Sequence, residues 1–192
     1  MAQLQTNRRS FIEYLTMVGV GSQVLLQTRN VQAATAAAQE SGDSEPWPGM
    51  SYRTLGRTGF RASRLVYGCG AALSGRPNDR LLNIAFEAGV NVYDVGYSGY
   101  YRNAEQNLAG FAKAHRDEIF LISKAPAPVG ADDEVDTETA QRAAKAWTLL
   151  LDKSLSELGT DHVDAYYQMA ANNPGVARAE EMYRAFEAAK AA

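Results

Sequence analysis

Apolar residues in this chain fall into short runs and helix-period stripes that alternate along the sequence. The short runs predict β-strands, and they are Arg64–Gly68, Asn91–Asp94, Ile119–Lys124 and His162–Tyr167. A segment with apolar residues three or four positions apart follows each run and predicts a helix. These helical segments are Pro77–Ala88, Asn103–His115, Asp136–Leu158 and Ala179–Ala191.

Turn residues mark where these elements begin and end. Residues 51–63 contain a Gly56-Arg57-Thr58-Gly59 turn and predict a small β-hairpin. Cys69–Ala72 predicts a tight loop, and Asp136 or Thr137 is expected to cap the long helix. A hairpin followed by four βα units predicts an α/β fold with a parallel sheet and right-handed crossovers. Such a series begins either an open doubly wound sheet or half of an eight-stranded barrel.

The first 38 residues differ in composition from the rest of the chain. Thr6–Ile12 carries two adjacent arginines and then an apolar pair, and it resembles a twin-arginine export signature. The apolar run Tyr14–Leu26 is too short and polar to span a bilayer stably. Small residues at Ala33–Ala38 suit a signal peptidase, and 39–50 forms a polar, proline-bearing linker. We predict a helical signal segment and a periplasmic location; an amphipathic N-terminal helix would instead imply a cytoplasmic one.

Composition narrows the class of protein. The chain has 192 residues, a net charge of −3 and 46% hydrophobic residues, which suits one hydrophobic core. The absence of a basic excess argues against nucleic acid as a partner. Cys69 is the single cysteine, so neither an intramolecular disulfide nor a cysteine-cluster metal site is available. We expect Cys69 to be a small buried residue.

Two charged residues stand at the ends of neighbouring predicted strands. Asp94 ends the second strand and Lys124 ends the third. The carboxyl ends of parallel strands meet at one edge of a sheet, where α/β proteins place their chemistry. We therefore expect an ion pair there, either structural or functional. The Gly68-Cys69-Gly70 turn lacks the third glycine of a dinucleotide-binding fingerprint, because Leu73 occupies that position.

Four segments of the chain together resemble the N-terminal half of an aldo/keto reductase. They are residues 52–70, 87–105, 116–124 and 149–168, and they occur in the family's order and spacing. The resemblance implies half of a (β/α)8 TIM barrel with an N-terminal hairpin under its floor. It also implies NADPH as cofactor and hydride transfer between NADPH and a small-molecule carbonyl substrate.

The resemblance also implies roles for individual residues. Asp94 matches the family's aspartate and Lys124 its lysine. In the family a tyrosine hydroxyl donates a proton to the carbonyl oxygen, the lysine favours release of that proton, and the aspartate holds the lysine.

The position of the proton-donating tyrosine is shifted in this chain. Counting from Asp94, the family's tyrosine would fall at Gly99, so a one-residue shift makes Tyr100 the predicted catalytic residue. The alternative is that the tyrosines of this loop only line the site; these are Tyr97, Tyr100 and Tyr101.

Two departures from the family pattern bear on activity. Met169 occupies the position of the family's histidine, and methionine cannot donate a hydrogen bond. The family's NADPH contacts lie on strands beyond those matched here, so we expect a partial barrel that belongs to a longer or truncated protein. The alternative is a non-catalytic relative that binds a ligand or a partner. Two copies could also associate into a pseudo-barrel as a homo-oligomer.

Overall fold

The computed structural model of the chain describes residues 48–192. The predicted export signal over 1–38 and nearly all of the linker lie outside these residues and stay predictions. Within 48–192, no helix has both the length and the apolar character needed to cross a membrane.

The described residues form a hairpin followed by alternating strands and helices. The strands are β1 (Tyr52–Thr54), β2 (Arg61–Ser63), β3 (Tyr67–Gly68), β4 (Val92–Asp94), β5 (Phe120–Pro126) and β6 (Ala165–Met169). The α-helices are α1 (Cys69–Leu73), α2 (Asp79–Glu87), α3 (Ser98–Tyr101), α4 (Ala104–His115), α5 (Thr137–Leu158), α6 (Pro174–Ala177) and α7 (Glu180–Ala191).

The sheet has the topology that βα alternation predicts. β1 and β2 pair in an antiparallel hairpin, and β3, β4, β5 and β6 form a parallel sheet in that order. Each parallel pair is joined through at least one helix, as parallel connections require. The result is an α/β half barrel with an N-terminal hairpin, which confirms the predicted fold.

The helices cover the outer face of this sheet. Tyr93 and Leu121 are fully buried there and belong to the same apolar cluster as Leu108 and Phe111 of α4. Successive residues of a strand point to opposite faces. Asp94 and Lys124 therefore belong to the inner face, which the helices do not cover.

The hairpin covers the floor of the inner face. Ala62 forms a second apolar cluster with Val92, Phe120 and Ile122, and the rings of Phe60 and Phe120 lie 5.3 Å apart. The inner face is therefore closed below by apolar contacts, and its charged residues lie toward the carboxyl ends of the strands.

The long helix α5 has the ends that the sequence predicts. The Asp136 side chain accepts a hydrogen bond from the Thr139 amide, and Gly159 adopts a left-handed conformation after the last turn. Both are ordinary helix-capping devices. Trp147 lies on the buried stripe of α5, and its ring packs 4.3 Å from Phe186 of α7.

Several predicted elements differ from the structure in type or in their bounds. The Cys69–Ala72 loop is the helix α1, because Cys69 and Leu73 lie one turn apart and both are fully buried. The first strand shortens from Arg64–Gly68 to Tyr67–Gly68. The last strand moves from His162–Tyr167 to Ala165–Met169, because β5 extends to Pro126 and pairs there with Met169.

Candidate active site

Asp94 and Lys124 meet at the carboxyl ends of β4 and β5. The Lys124 Nζ atom lies 2.7 Å from each carboxylate oxygen of Asp94 and 2.6 Å from the carbonyl oxygen of Val95. The exposed fractions of the two side chains are 15% for Lys124 and 34% for Asp94. The ammonium group is thus held by three oxygen acceptors at the rim of the inner face.

The ring of Tyr101 lies beside this ion pair. Its centroid is 5.5 Å from Lys124 Nζ, within the range of a cation–π contact. The ring packs against the backbone of two glycines, since a Cβ added at Gly70 or Gly96 would come within 2.5 Å or 2.8 Å of a ring carbon. These glycines leave the space that brings the aromatic ring next to the lysine.

Tyr100, the predicted proton donor, is not the tyrosine that contacts Lys124. Its side chain is 65% exposed, and its ring meets the edge of Tyr101 at a centroid distance of 4.8 Å. The reason is the short helix α3, which turns successive side chains in different directions. Arg102 follows with a left-handed φ of 53°, and this allows the chain to leave α3 and enter α4. Tyr101 is therefore the tyrosine whose ring lies near Lys124, and the proton-donor role of Tyr100 stays a prediction.

The strand β6 places two more side chains on the inner face. Tyr167 is in register with Lys124, and Met169, at the position of the family's histidine, is in register with Pro126. Tyr167 is 51% exposed. Tyr167 is therefore the β6 side chain that lies beside Lys124 on the inner face.

Cys69 lies fully buried beneath the site. Burial, with a smaller contribution from the charge of Asp94, raises the pKa of its thiol to about 12. A thiol in that state is a poor nucleophile, so Cys69 acts as a small core residue, as predicted.

Sequence reasoning missed a buried contact behind the site. Glu105 of α4 is 1% exposed, and one of its carboxylate oxygens accepts a 2.6 Å hydrogen bond from the hydroxyl of Ser123. Ser123 directly precedes Lys124 on β5 and points to the opposite face. A glutamate in the first turn of a helix usually stabilises the helix dipole from the surface, and no pattern in the chain indicates its burial.

Comparison with known proteins identifies the family. The model of the aldo/keto reductase family matches residues 70–192. The chain belongs to the aldo/keto reductase family. The members of this family that it resembles include oxidoreductases, and the matched residues contain Asp94, Tyr101 and Lys124.

Curated aldo/keto reductase relatives align with most of the chain. An uncharacterized oxidoreductase, YrpG of Bacillus subtilis (strain 168), is 28% identical over 152 residues, which cover 72% of this chain and 45% of the relative. L-glyceraldehyde 3-phosphate reductase of Escherichia coli (strain K12) is 26% identical over 159 residues, which cover 74% of this chain and 43% of that enzyme. The chain spans less than half the length of these relatives.

Solved structures share the fold. A Pseudomonas aeruginosa structure, PA4992, assigned to the aldo-keto reductases, superposes with a TM-score of 0.59 at 24% identity and covers 77% of this chain and 59% of that one. A Klebsiella pneumoniae aldo-keto reductase in complex with NADPH superposes with a TM-score of 0.50 at 18% identity. The superposition covers 75% of this chain and 46% of that chain. Both support the half-barrel architecture.

A buried asparagine joins the two loops that follow β5 and β6. The Asn173 amide nitrogen donates to the carbonyl oxygens of Gly130 and Asp133, and its side-chain oxygen accepts from the amides of Gly175 and Val176. The side chain thus caps α6 and also holds the loop that follows β5. Its neighbour Asn172 is exposed.

Replacing Asn173 with alanine is expected to lower the free energy of unfolding by about 2 kcal/mol, because buried backbone groups lose their partners. Urea denaturation measures this change. The matched variant Asn172→Ala should stay within about 0.5 kcal/mol of the original protein. Equal effects of the two substitutions would contradict the assigned role of Asn173.

A separate cavity lies away from the ion pair. It has a volume of about 890 Å³ and opens between α5, α7 and the free edge of β6. Asp94, Tyr101 and Lys124 do not line it. In residues 48–192, no group of three or more histidine, cysteine, aspartate or glutamate side chains is placed to hold a metal ion.

Proposed function

We propose that this chain supplies the proton-handling residues of an NADPH-dependent carbonyl reductase. The observation that carries the proposal is the position of the Lys124 ammonium group, which lies 2.7 Å from the Asp94 carboxylate and 5.5 Å from the centroid of the Tyr101 ring. Membership of the aldo/keto reductase family gives this arrangement its chemical context. The substrate class we propose is a small aldehyde or ketone.

In the proposed reaction Tyr101 is the general acid. Its hydroxyl donates a proton to the carbonyl oxygen while the carbonyl carbon is reduced. The positive charge of Lys124 stabilises the phenolate that remains on Tyr101. Asp94 and the Val95 carbonyl hold the ammonium group in place through three short contacts. The proton returns to Tyr101 from solvent once the alcohol leaves.

The ligands that we propose for the inner face are a nicotinamide nucleotide and a small aldehyde or ketone. Tyr167 is 51% exposed and in register with Lys124, and we propose that it lines the approach of the substrate from the β6 side. When bound, NADPH would supply the hydride. The NADPH complex of the Klebsiella pneumoniae relative supports this choice of nucleotide, and the Escherichia coli glyceraldehyde phosphate reductase supports an aldehyde substrate.

The proposal is tested by following NADPH absorbance while small aldehydes are added to purified protein in which this chain is continuous with the strands that carry the family's NADPH contacts. We expect oxidation of NADPH that depends on the aldehyde. The variant Lys124→Met should remove at least about 99% of this rate, whereas Lys145→Met, at an exposed position of α5, should leave it unchanged. NADPH binding without any aldehyde-dependent oxidation would overturn the proposal and support a non-catalytic relative.

A further inference from the structure

A second carboxyl group faces Glu105 behind the site. One oxygen of Glu105, Oε2, is buried and has no hydrogen-bond partner in the described part of the chain, and the same holds for Oε2 of Glu157 on α5. The two carboxyl groups lie within hydrogen-bonding reach of each other. Burial raises the pKa of Glu105, and the charge of Glu157 raises it further, while the hydroxyls of Ser123 and Ser154 lower it.

Two buried acceptor oxygens cannot satisfy each other unless one carries a proton. A single proton between the carboxyl groups would satisfy both oxygens at once and remove the repulsion between two adjacent negative charges. Leaving both groups ionised would instead cost the desolvation of two unpaired carboxylate oxygens. The geometry therefore favours one shared proton.

The other polar and charged groups around the pair do not replace that proton. On α5, Lys153 Nζ is 3.8 Å from the outer oxygen of Glu157, and its side chain is more than half exposed. Gln106 of α4 donates to the same oxygen at 3.4 Å. From β6, the Tyr166 hydroxyl lies 3.3 Å from Ser154, and Asp152 adds a further negative charge near Tyr166. Neither these groups nor the Ser154 hydroxyl, which lowers the pKa of Glu105, makes a hydrogen bond to the unpaired Oε2 atoms.

The pair connects the elements that carry the proposed site. Glu105 lies four residues after Tyr101, in the first turn of α4, and its other oxygen is bonded to Ser123, the residue before Lys124. Glu157 joins this contact to α5. A change in the Glu105–Glu157 separation would therefore move the tyrosine and the lysine relative to each other.

We propose that Glu105 and Glu157 share one proton, and that this carboxyl pair positions Tyr101 and Lys124 relative to each other. Glu105 and Glu157 are positioning residues, since neither reaches the inner face of the sheet. The positioning role rests on the proposed function of Tyr101 and Lys124. The shared proton does not depend on that proposed function, and it can be tested without measuring turnover.

The raised pKa of Glu105 determines the sign of the pH effect. In the unfolded chain both glutamates lose their protons near the ordinary value of about 4.3. The folded protein keeps the shared proton to higher pH. The contribution of the shared proton to the free energy of unfolding is therefore fully present below the ordinary glutamate pKa. It is lost as pH rises through the raised pKa of the folded state.

Melting temperatures across about pH 5 to 9 test the shared proton in four proteins: the original chain, Glu105→Gln, Glu157→Gln and the control Glu138→Gln. Glu138 is a glutamate on α5 with 79% of its side chain exposed. We expect the melting temperature of the original chain and the control to fall by about 3 °C more than that of either buried variant. A glutamine amide satisfies the facing carboxylate without a titrating proton. Identical pH profiles in all four proteins would overturn the shared proton.

The reactivity of Lys124 tests the positioning role. Acetic anhydride labels free amines, and mass spectrometry gives the rate at Lys124 relative to the exposed Lys145 at each pH. We expect this ratio to rise roughly twofold or more in the original chain over the interval in which stability falls, as the site loosens locally. Glu157→Gln should show no such rise. Equal ratios in both proteins would mean that the pair stabilises the fold without positioning Lys124. Carbonyl reduction is not part of either readout, so a failure here is distinct from a failure of the proposed function.

Discussion

Replacing Tyr101 with phenylalanine is expected to lower kcat/KM for carbonyl reduction by about 10²–10⁴-fold, the usual contribution of a general acid. The substitution removes the hydroxyl and keeps the ring. Because the ring is the part that packs against Gly70 and Gly96, the variant should stay folded. The measurement is the steady-state rate of aldehyde-dependent NADPH oxidation, with the melting temperature as a check on folding.

Tyr100→Phe is the matched control for this experiment. Tyr100 directly precedes Tyr101 and exposes 65% of its side chain, whereas the ring near Lys124 is that of Tyr101. Its loss of a hydroxyl should change kcat/KM by less than about threefold. A large loss of kcat/KM in Tyr100→Phe and none in Tyr101→Phe would contradict the proposal and support Tyr100, the proton donor that the sequence predicts.

Replacing Asp94 with asparagine is expected to lower the free energy of unfolding by about 2 kcal/mol. Removing one partner of a buried ion pair costs about 3–5 kcal/mol, and an exposed pair contributes about 0–1 kcal/mol. Asp94 is about one-third exposed, so an intermediate value applies. The Lys124 ammonium keeps the Val95 carbonyl as a partner but loses its neutralising charge. Urea denaturation measures the change, and kcat/KM should fall with it.

A double variant separates the ion pair from the rest of the fold. In Asp94→Asn combined with Lys124→Met, no uncompensated charge is left, so we expect part of the lost stability to return. Glu138→Gln, which breaks an exposed ion pair with Arg142, should change stability by less than about 0.5 kcal/mol. Strictly additive effects of the two site substitutions would show that Asp94 and Lys124 are not coupled.

The sequence predicted the order and type of the elements because each has a local cause. The apolar period of α5, its Asp136 cap and the glycine after its last turn are all visible in the chain, and the structure confirms them. Strand boundaries depend instead on partners. β6 reaches Met169 because β5 offers Pro126 as a pairing residue, and no local pattern contains that information.

Proximity of Asp94 and Lys124 also followed from sequence, because residues that end adjacent parallel strands must lie at one edge of a sheet. The tertiary structure decided which tyrosine joins them. A short helix and a left-handed Arg102 direct the ring of Tyr101 inward, and Gly70 and Gly96 leave room for it. The Glu105–Glu157 pair likewise depends on the packing of α4 against α5. The chain by itself therefore determined the scaffold and the ion pair, whose causes are local or topological. The direction of the Tyr101 side chain was decided by the backbone of α3 and Arg102 together with packing against Gly70, which is distant in the chain.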